Sequence, residues 1–117
     1  MEVARIKQEL KSPNKKWAKR FCSAKERDQA DTPPMHYRYY AGRFAGKEAV
    51  VKALGTGFAG NITWRGIEIL RAESGAPYVR LSNEVLSFAE SLGIRDWFIS
   101  ISYCGGIAVA SAIAGGE

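Results

Sequence analysis

The order of apolar patterns predicts an α+β domain, a small antiparallel sheet packed with helices, and three observations carry that expectation. A helical repeat runs from Met35 to Leu54, and two pairs of β-rich runs are each joined by a glycine-bearing turn. The third is length: 117 residues suffice for one core, so residues 1–117 are read as a single domain.

Residues 2–10 begin strand-like and turn helix-like, and Ser12-Pro13-Asn14 signals a turn. Trp17, Phe21 and Cys22 then recur at helical spacing over about 14–22, which sends Lys16, Lys19 and Arg20 toward water. Ser23 with Glu26 three residues on has the form of a capping box and opens a helix over 24–30. Asp31-Thr32-Pro33-Pro34 breaks it, because proline lacks the amide donor and disfavours helix in the residue before it. The long helix follows and stops at Gly55. Ile62–Leu70 reads as a strand with Ile67 and Ile69 on one face, and the turn Glu73-Ser74-Gly75-Ala76-Pro77 returns the chain through Tyr78–Leu81. Ser82 or Asn83 caps an amphipathic helix through Leu92, ended by Gly93. Trp97–Tyr103 and Ile107–Ile113, joined at Cys104-Gly105-Gly106, form a second hairpin in which glycine supplies positive φ.

Composition narrows the function classes. With 46% hydrophobic and 25% charged residues the chain is of ordinary globular type, and it has no apolar run long enough to cross a bilayer. The N-terminus lacks the apolar stretch of a signal peptide, which favours the cytoplasm. Cys22 and Cys104 are too few for a disulfide framework and are read as reduced packing residues. A formal charge of +5 suits an anionic partner: nucleic acid, an acidic protein or a phosphorylated ligand. The basic residues gather between Arg5 and Arg27, where a plain solvated helix face is the simpler reading. His36, beside prolines and tyrosines, is read as structural or surface.

Within the long helix Glu48 and Lys52 are four apart and project from one face. Alone, they would make a surface ion pair worth about 0.3–0.5 kcal/mol. Their setting is longer: Tyr40-Ala41-Gly42-Arg43-Phe44-Ala45-Gly46-Lys47-Glu48-Ala49-Val50-Val51-Lys52-Ala53-Leu54-Gly55-Thr56-Gly57. This run resembles, without a gap, the signature of 4'-phosphopantetheinyl transferases, and most closely its holo-acyl-carrier-protein synthase form. Val3-Ala4-Arg5-Ile6, Ile67-Glu68-Ile69, Gly75-Ala76-Pro77 and Ser100-Ile101-Ser102 fall in the family's order, so the resemblance covers nearly the whole chain.

The resemblance implies transfer of 4'-phosphopantetheine from coenzyme A to a serine of an acidic acyl carrier protein, with Mg²⁺ and release of 3',5'-ADP. Opening a pyrophosphate calls for charge neutralisation by a hard cation, for which Glu48 is the natural ligand. Lys52, one turn on, is in reach of the pyrophosphate and the leaving group. Arg43 is a candidate for nucleotide phosphate, an ordinary ion pair being the alternative. Gly55-Thr56-Gly57 and the turn ending at Pro77 resemble loops of the family's nucleotide pocket, and Ser102 and Tyr103 fall on its phosphate-facing S-x-S-H strand, an ordinary strand hydroxyl being the alternative for Ser102. Arg5, Lys16 and Arg20 would form the basic face for the carrier. A homotrimer with coenzyme A in clefts between subunits is also implied. An apolar sheet face of Phe98, Ile99, Ile101, Ile107, Val109 and Ile113 asks for cover, but would equally permit a dimer.

Two departures stand out. The family's G-x-D strand, whose aspartate is the metal's other protein carboxylate, would fall just upstream of Met1, and a lost N-terminal extension is the expectation. Tyr103 occupies the histidine position, keeping a hydroxyl donor but no positive charge. A non-catalytic coenzyme A or carrier-binding module is therefore the second reading. A basic nucleic-acid-binding domain is the third, disfavoured because the cluster has neither a base-stacking strand motif nor a helix-turn-helix signature. The residues do not choose among fatty acid or other lipid biosynthesis, polyketide synthesis and other carrier-dependent pathways.

Overall fold

The structure is a computed structural model that describes residues 1–4, 16–30, 36–57 and 62–116, without the side chains of residues 16, 17 and 36. The expectations for Arg5, for the turn at residues 12–14 and for the proline break at 31–34 lie outside these residues. So do the side-chain roles assigned to Lys16, Trp17 and His36.

Among the described residues, short helices α1 (Lys16–Phe21) and α2 (Ala24–Ala30) precede the long helix α3 (His36–Leu54). A hairpin of β1 (Ile67–Arg71) and β2 (Pro77–Leu81), helix α4 (Asn83–Ser91) and a longer hairpin of β3 (Ile94–Cys104) and β4 (Ile107–Gly116) complete the order. The predicted α+β class holds, but the strands form two separate two-stranded antiparallel sheets rather than one. The predicted strand from Ile62 is shorter, because Thr63–Gly66 close a turn: the Thr63 hydroxyl and carbonyl both accept from the Gly66 amide.

Local chemistry explains the ends. Ser23 and Glu26 make the reciprocal capping box, with the Glu26 amide donating to Ser23 Oγ at 3.2 Å and the Ser23 amide to Glu26 Oε1 at 3.0 Å. At the second hairpin, Cys104 pairs with Ile107 around Gly105 (φ 57°) and Gly106 (φ 79°), the two positive-φ sites a two-residue turn requires. Ser82 is the N-cap of α4 but its side chain makes no cap hydrogen bond.

Helix α3 spans both halves of the core. Its first turns pack Tyr39, Tyr40 and Ala41 with Ala18, Cys22 and Ala108, and its last turns pack Val50, Val51 and Leu54 with Ile67, Ile69 and Val85. The inward face of β4 is Ala108, Ala110, Ala112 and Ala114, so the helix approaches the hairpin closely. A β-carbon at Gly46 would stand 3.1 Å from Ile99 Cδ1 and 3.2 Å from Ile69 Cγ1. The apolar sheet face expected from six residues divides, since strand side chains alternate. Ile99 and Ile101 turn toward the helix, whereas Phe98 and Ile113, paired across the hairpin and 63% and 65% exposed, turn outward with Ile107 and Val109. Cys104 is also exposed, so of the two cysteines only Cys22 is a packing residue.

The free edge of β1 is satisfied by side chains. Glu26 Oε2 accepts from the Ile69 amide at 2.9 Å, Gln29 Oε1 from the Arg71 amide at 2.8 Å, and Arg43 Nε donates to the Ile69 carbonyl at 3.2 Å. At the other end of the chain, Met1 exchanges hydrogen bonds with Ala108 and Glu2 pairs antiparallel with Ile107, adding a short edge beside β4.

Candidate active site

Helix α3 presents functional side chains on two sides. Glu48 and Lys52 are exposed and line one cleft of about 530 Å³ between α3 and β4, walled by Met1, Ala45, Ala49 and Ala108–Ala112. The i,i+4 spacing brings them to one face, but they form no ion pair with each other, so the surface salt bridge that spacing allows is not what they do. Small alanines around them leave the space in which their charges stand free.

Arg43 is five residues before Glu48, about 140° away around the helix, and so faces elsewhere. It joins Pro77 and Tyr103 in a smaller cleft of about 140 Å³, with Tyr39, Arg71 and Ile101. Its guanidinium lies over the Tyr39 ring at 3.6 Å, and Arg38 lies over the Tyr103 ring at 4.8 Å. Burial pushes the Tyr103 hydroxyl above its ordinary pKa of 10.0, against the pull of Arg43 and Arg38, so it stays a protonated donor at neutral pH. Arg43 is itself buried and bonded to Ile69, a more structural position than a surface ion pair would give.

The remaining candidates stand apart. Gly55 (φ 79°) and Gly57 (φ 65°) carry the chain out of α3, and the Thr56 hydroxyl donates to the Gly57 carbonyl at 2.9 Å. Ser102 is exposed on the face of β3 opposite to Tyr103, because adjacent strand residues alternate. Arg20 is exposed near the end of α1, over the Phe21 ring at 5.4 Å. One chain therefore assembles Glu48 with Lys52, and Arg43 with Pro77 and Tyr103, but not the two groups in one cleft.

Sequence reasoning missed Tyr39 and Arg71, which line the smaller cleft, and Arg38, which lies over its Tyr103, since nothing in their spacing links them. Gln29 ties Tyr39 and Arg71 together, accepting from the Tyr39 hydroxyl at 2.7 Å as well as from the Arg71 amide. Among the described residues no cluster of three or more His, Cys, Asp or Glu could hold a metal, and no helix is long and apolar enough to cross a membrane.

Residues 1–108 match the family model of the 4'-phosphopantetheinyl transferase superfamily. The holo-[acyl-carrier-protein] synthase of Natranaerobius thermophilus is 42% identical over 113 residues, covering 97% of this chain and 90% of that protein. Among solved structures, the Helicobacter pylori holo-[acyl-carrier-protein] synthase in complex with coenzyme A superposes with a TM-score of 0.84 at 29% identity, over 98% of this chain and 95% of that one. The Neisseria meningitidis enzyme does so with a TM-score of 0.88 at 28% identity, over 98% and 92%.

Proposed function

Because this chain belongs to the 4'-phosphopantetheinyl transferase superfamily, we propose that it is a holo-acyl-carrier-protein synthase, moving 4'-phosphopantetheine from coenzyme A to a carrier serine. The serine oxygen bonds to the β-phosphorus, the bond from that phosphorus to the bridging oxygen breaks, the hydroxyl proton is released, and 3',5'-ADP leaves. The observation that carries the reading is the pair of unbridged charges, Glu48 and Lys52, facing one cleft.

Mg²⁺ commonly binds one or two carboxylates and completes its shell with water and substrate phosphate. The donor set fits, since Glu48 is a solvent-facing carboxylate that makes no ion pair among the described residues, and it is the residue that would hold the ion. When bound, Mg²⁺ neutralises pyrophosphate charge. Lys52 places its ammonium where negative charge grows on the leaving group, stabilising the transition state more than the bound donor.

Arg43 and Tyr103 supply donors for nucleotide phosphate in the smaller cleft, with Pro77 shaping its wall, while Gly55, Thr56, Gly57 and Ser102 contribute from other surfaces. Their dispersal within one chain is accounted for by a homotrimer in which the smaller cleft of one subunit faces the Glu48 cleft of the next. The outward Phe98 and Ile113 would be covered by that assembly. Light scattering should give a mass near three chains, and a stable, active monomer overturns the trimer. Arg5, Lys16 and Arg20 receive an acidic carrier, and the reaction takes place in the cytoplasm.

The deciding assay combines the chain, apo carrier protein, coenzyme A and Mg²⁺, and reads the intact mass of the carrier. A gain of one phosphopantetheine, abolished by EDTA, is expected. Coenzyme A binding with no mass gain on any apo carrier would overturn transfer and leave a binding module.

A further inference from the structure

Immediately before Glu48, the side chain of Lys47 points into the protein rather than into the cleft. Its ammonium donates to Glu26 Oε1 at 2.7 Å and to the Trp64 carbonyl at 2.6 Å, and both charged side chains are 0% exposed. Glu26 is fully committed: Oε1 also accepts from the Ser23 amide and Oε2 from the Ile69 amide. One buried pair thereby joins α2, α3, the turn before β1 and β1 itself.

Such a pair is a poor device for stability, because removing two charges from water costs about as much as their attraction returns. What it supplies is direction. The apolar residues of α3 are spread around its circumference instead of forming one stripe, so no single apolar stripe sets which way Lys47 faces. Two short hydrogen bonds from Lys47 to acceptors on different elements do set it. Neighbouring helix residues are turned by about 100°, so a Lys47 held inward fixes where Glu48 stands. Lys52 follows one turn later on Glu48's face.

We propose that Glu26 and Lys47 are positioning residues for the transfer reaction: they lock the rotation of α3 and so hold Glu48 and Lys52 in register with the cleft. This rests on the transferase reading above. Neither residue touches substrate; both act through Glu48 and Lys52.

The test compares wild type with Glu26→Gln/Lys47→Met, which removes both charges and so leaves no unpaired buried ion, and with Glu26→Asp, which keeps the charge but draws the carboxylate back by one methylene. Circular dichroism and thermal melts establish folding; steady-state transfer gives kcat and both KM values. The expected result is a folded double variant whose kcat falls by about ten- to a hundredfold while KM for coenzyme A stays within about threefold, with Glu26→Asp intermediate. Wild-type kcat in a folded double variant overturns the proposal. Should the double variant not fold, Glu26→Asp decides: unchanged kcat with a lowered melting temperature assigns the pair to stability alone and overturns positioning. A wild-type chain inactive on every apo carrier overturns the transferase reading and this role with it. An active wild type with indifferent variants overturns only the role of the pair.

Discussion

The Tyr103 hydroxyl occupies the notch left by Gly42, where a β-carbon on residue 42 would overlap it. Helix α3 thus tolerates glycine at the crossing because a tyrosine of β3 needs the room. Gly42→Ala should destabilise the chain by about 1–2 kcal/mol, overpacking outweighing the helix propensity gained. In a Tyr103→Ala background the same change should become neutral or stabilising. Denaturant midpoints for the four-member cycle check this, and equal effects in both backgrounds would mean that the two residues are not coupled.

Glu48→Gln and Lys52→Ala should leave the melting temperature nearly unchanged, since each side chain is exposed, and such surface changes are worth within about 0.5 kcal/mol. Transfer should respond far more. Glu48→Gln should abolish the Mg²⁺-dependent rate, and Lys52→Ala should lower kcat by about a hundredfold. Wild-type turnover in either variant removes that residue from the site.

Arg20→Glu should raise KM for an acidic carrier by about tenfold while leaving KM for coenzyme A close to wild type, because a surface charge steers the macromolecule. Added salt should weaken the wild-type carrier interaction in the same direction. Equal shifts in both KM values would point to a role in folding.

Burial pushes the Cys22 thiol from 9.0 up to about 12, with the Glu26 carboxylate adding to the rise. The fold favours the neutral thiol, so this contribution is complete below pH 9.0 and is lost as pH climbs toward about 12. Urea unfolding across that window should show wild type losing stability faster than Cys22→Ala. Thiol reagents should reach exposed Cys104 first and Cys22 only on unfolding.

Features set by neighbours in sequence were legible without coordinates: the Ser23–Glu26 box, the stop at Gly55, the glycine turn at residues 105 and 106, and the Glu48–Lys52 face. Features set by distant partners were not. The spacing of Ser23 and Glu26 marks Glu26 as a cap, which it is, yet its second role as buried partner of Lys47 depends on a residue 21 positions away. Nothing in local pattern marks Lys47, one lysine among many, as inward. The split of Arg43 from Glu48 follows from helical rotation, but the companions of Arg43, Arg71 and Tyr39, are gathered by the Gln29 bridge that spacing does not encode. A run such as Ile62–Leu70 looks like one strand because apolar alternation does not reveal the hydroxyl that turns its first half.

The bond between Met1 and Ala108 spans 107 positions of sequence. During synthesis the first residues must therefore wait until the last strand has emerged, and long helix α3 waits likewise for the alanine face of β4. At roughly 5–20 residues per second, that leaves the incomplete chain exposed for several seconds. The domain is one that closes only once its last strand has been made, and its nascent form, with helix made and hairpin pending, is the species a ribosome-associated chaperone would meet.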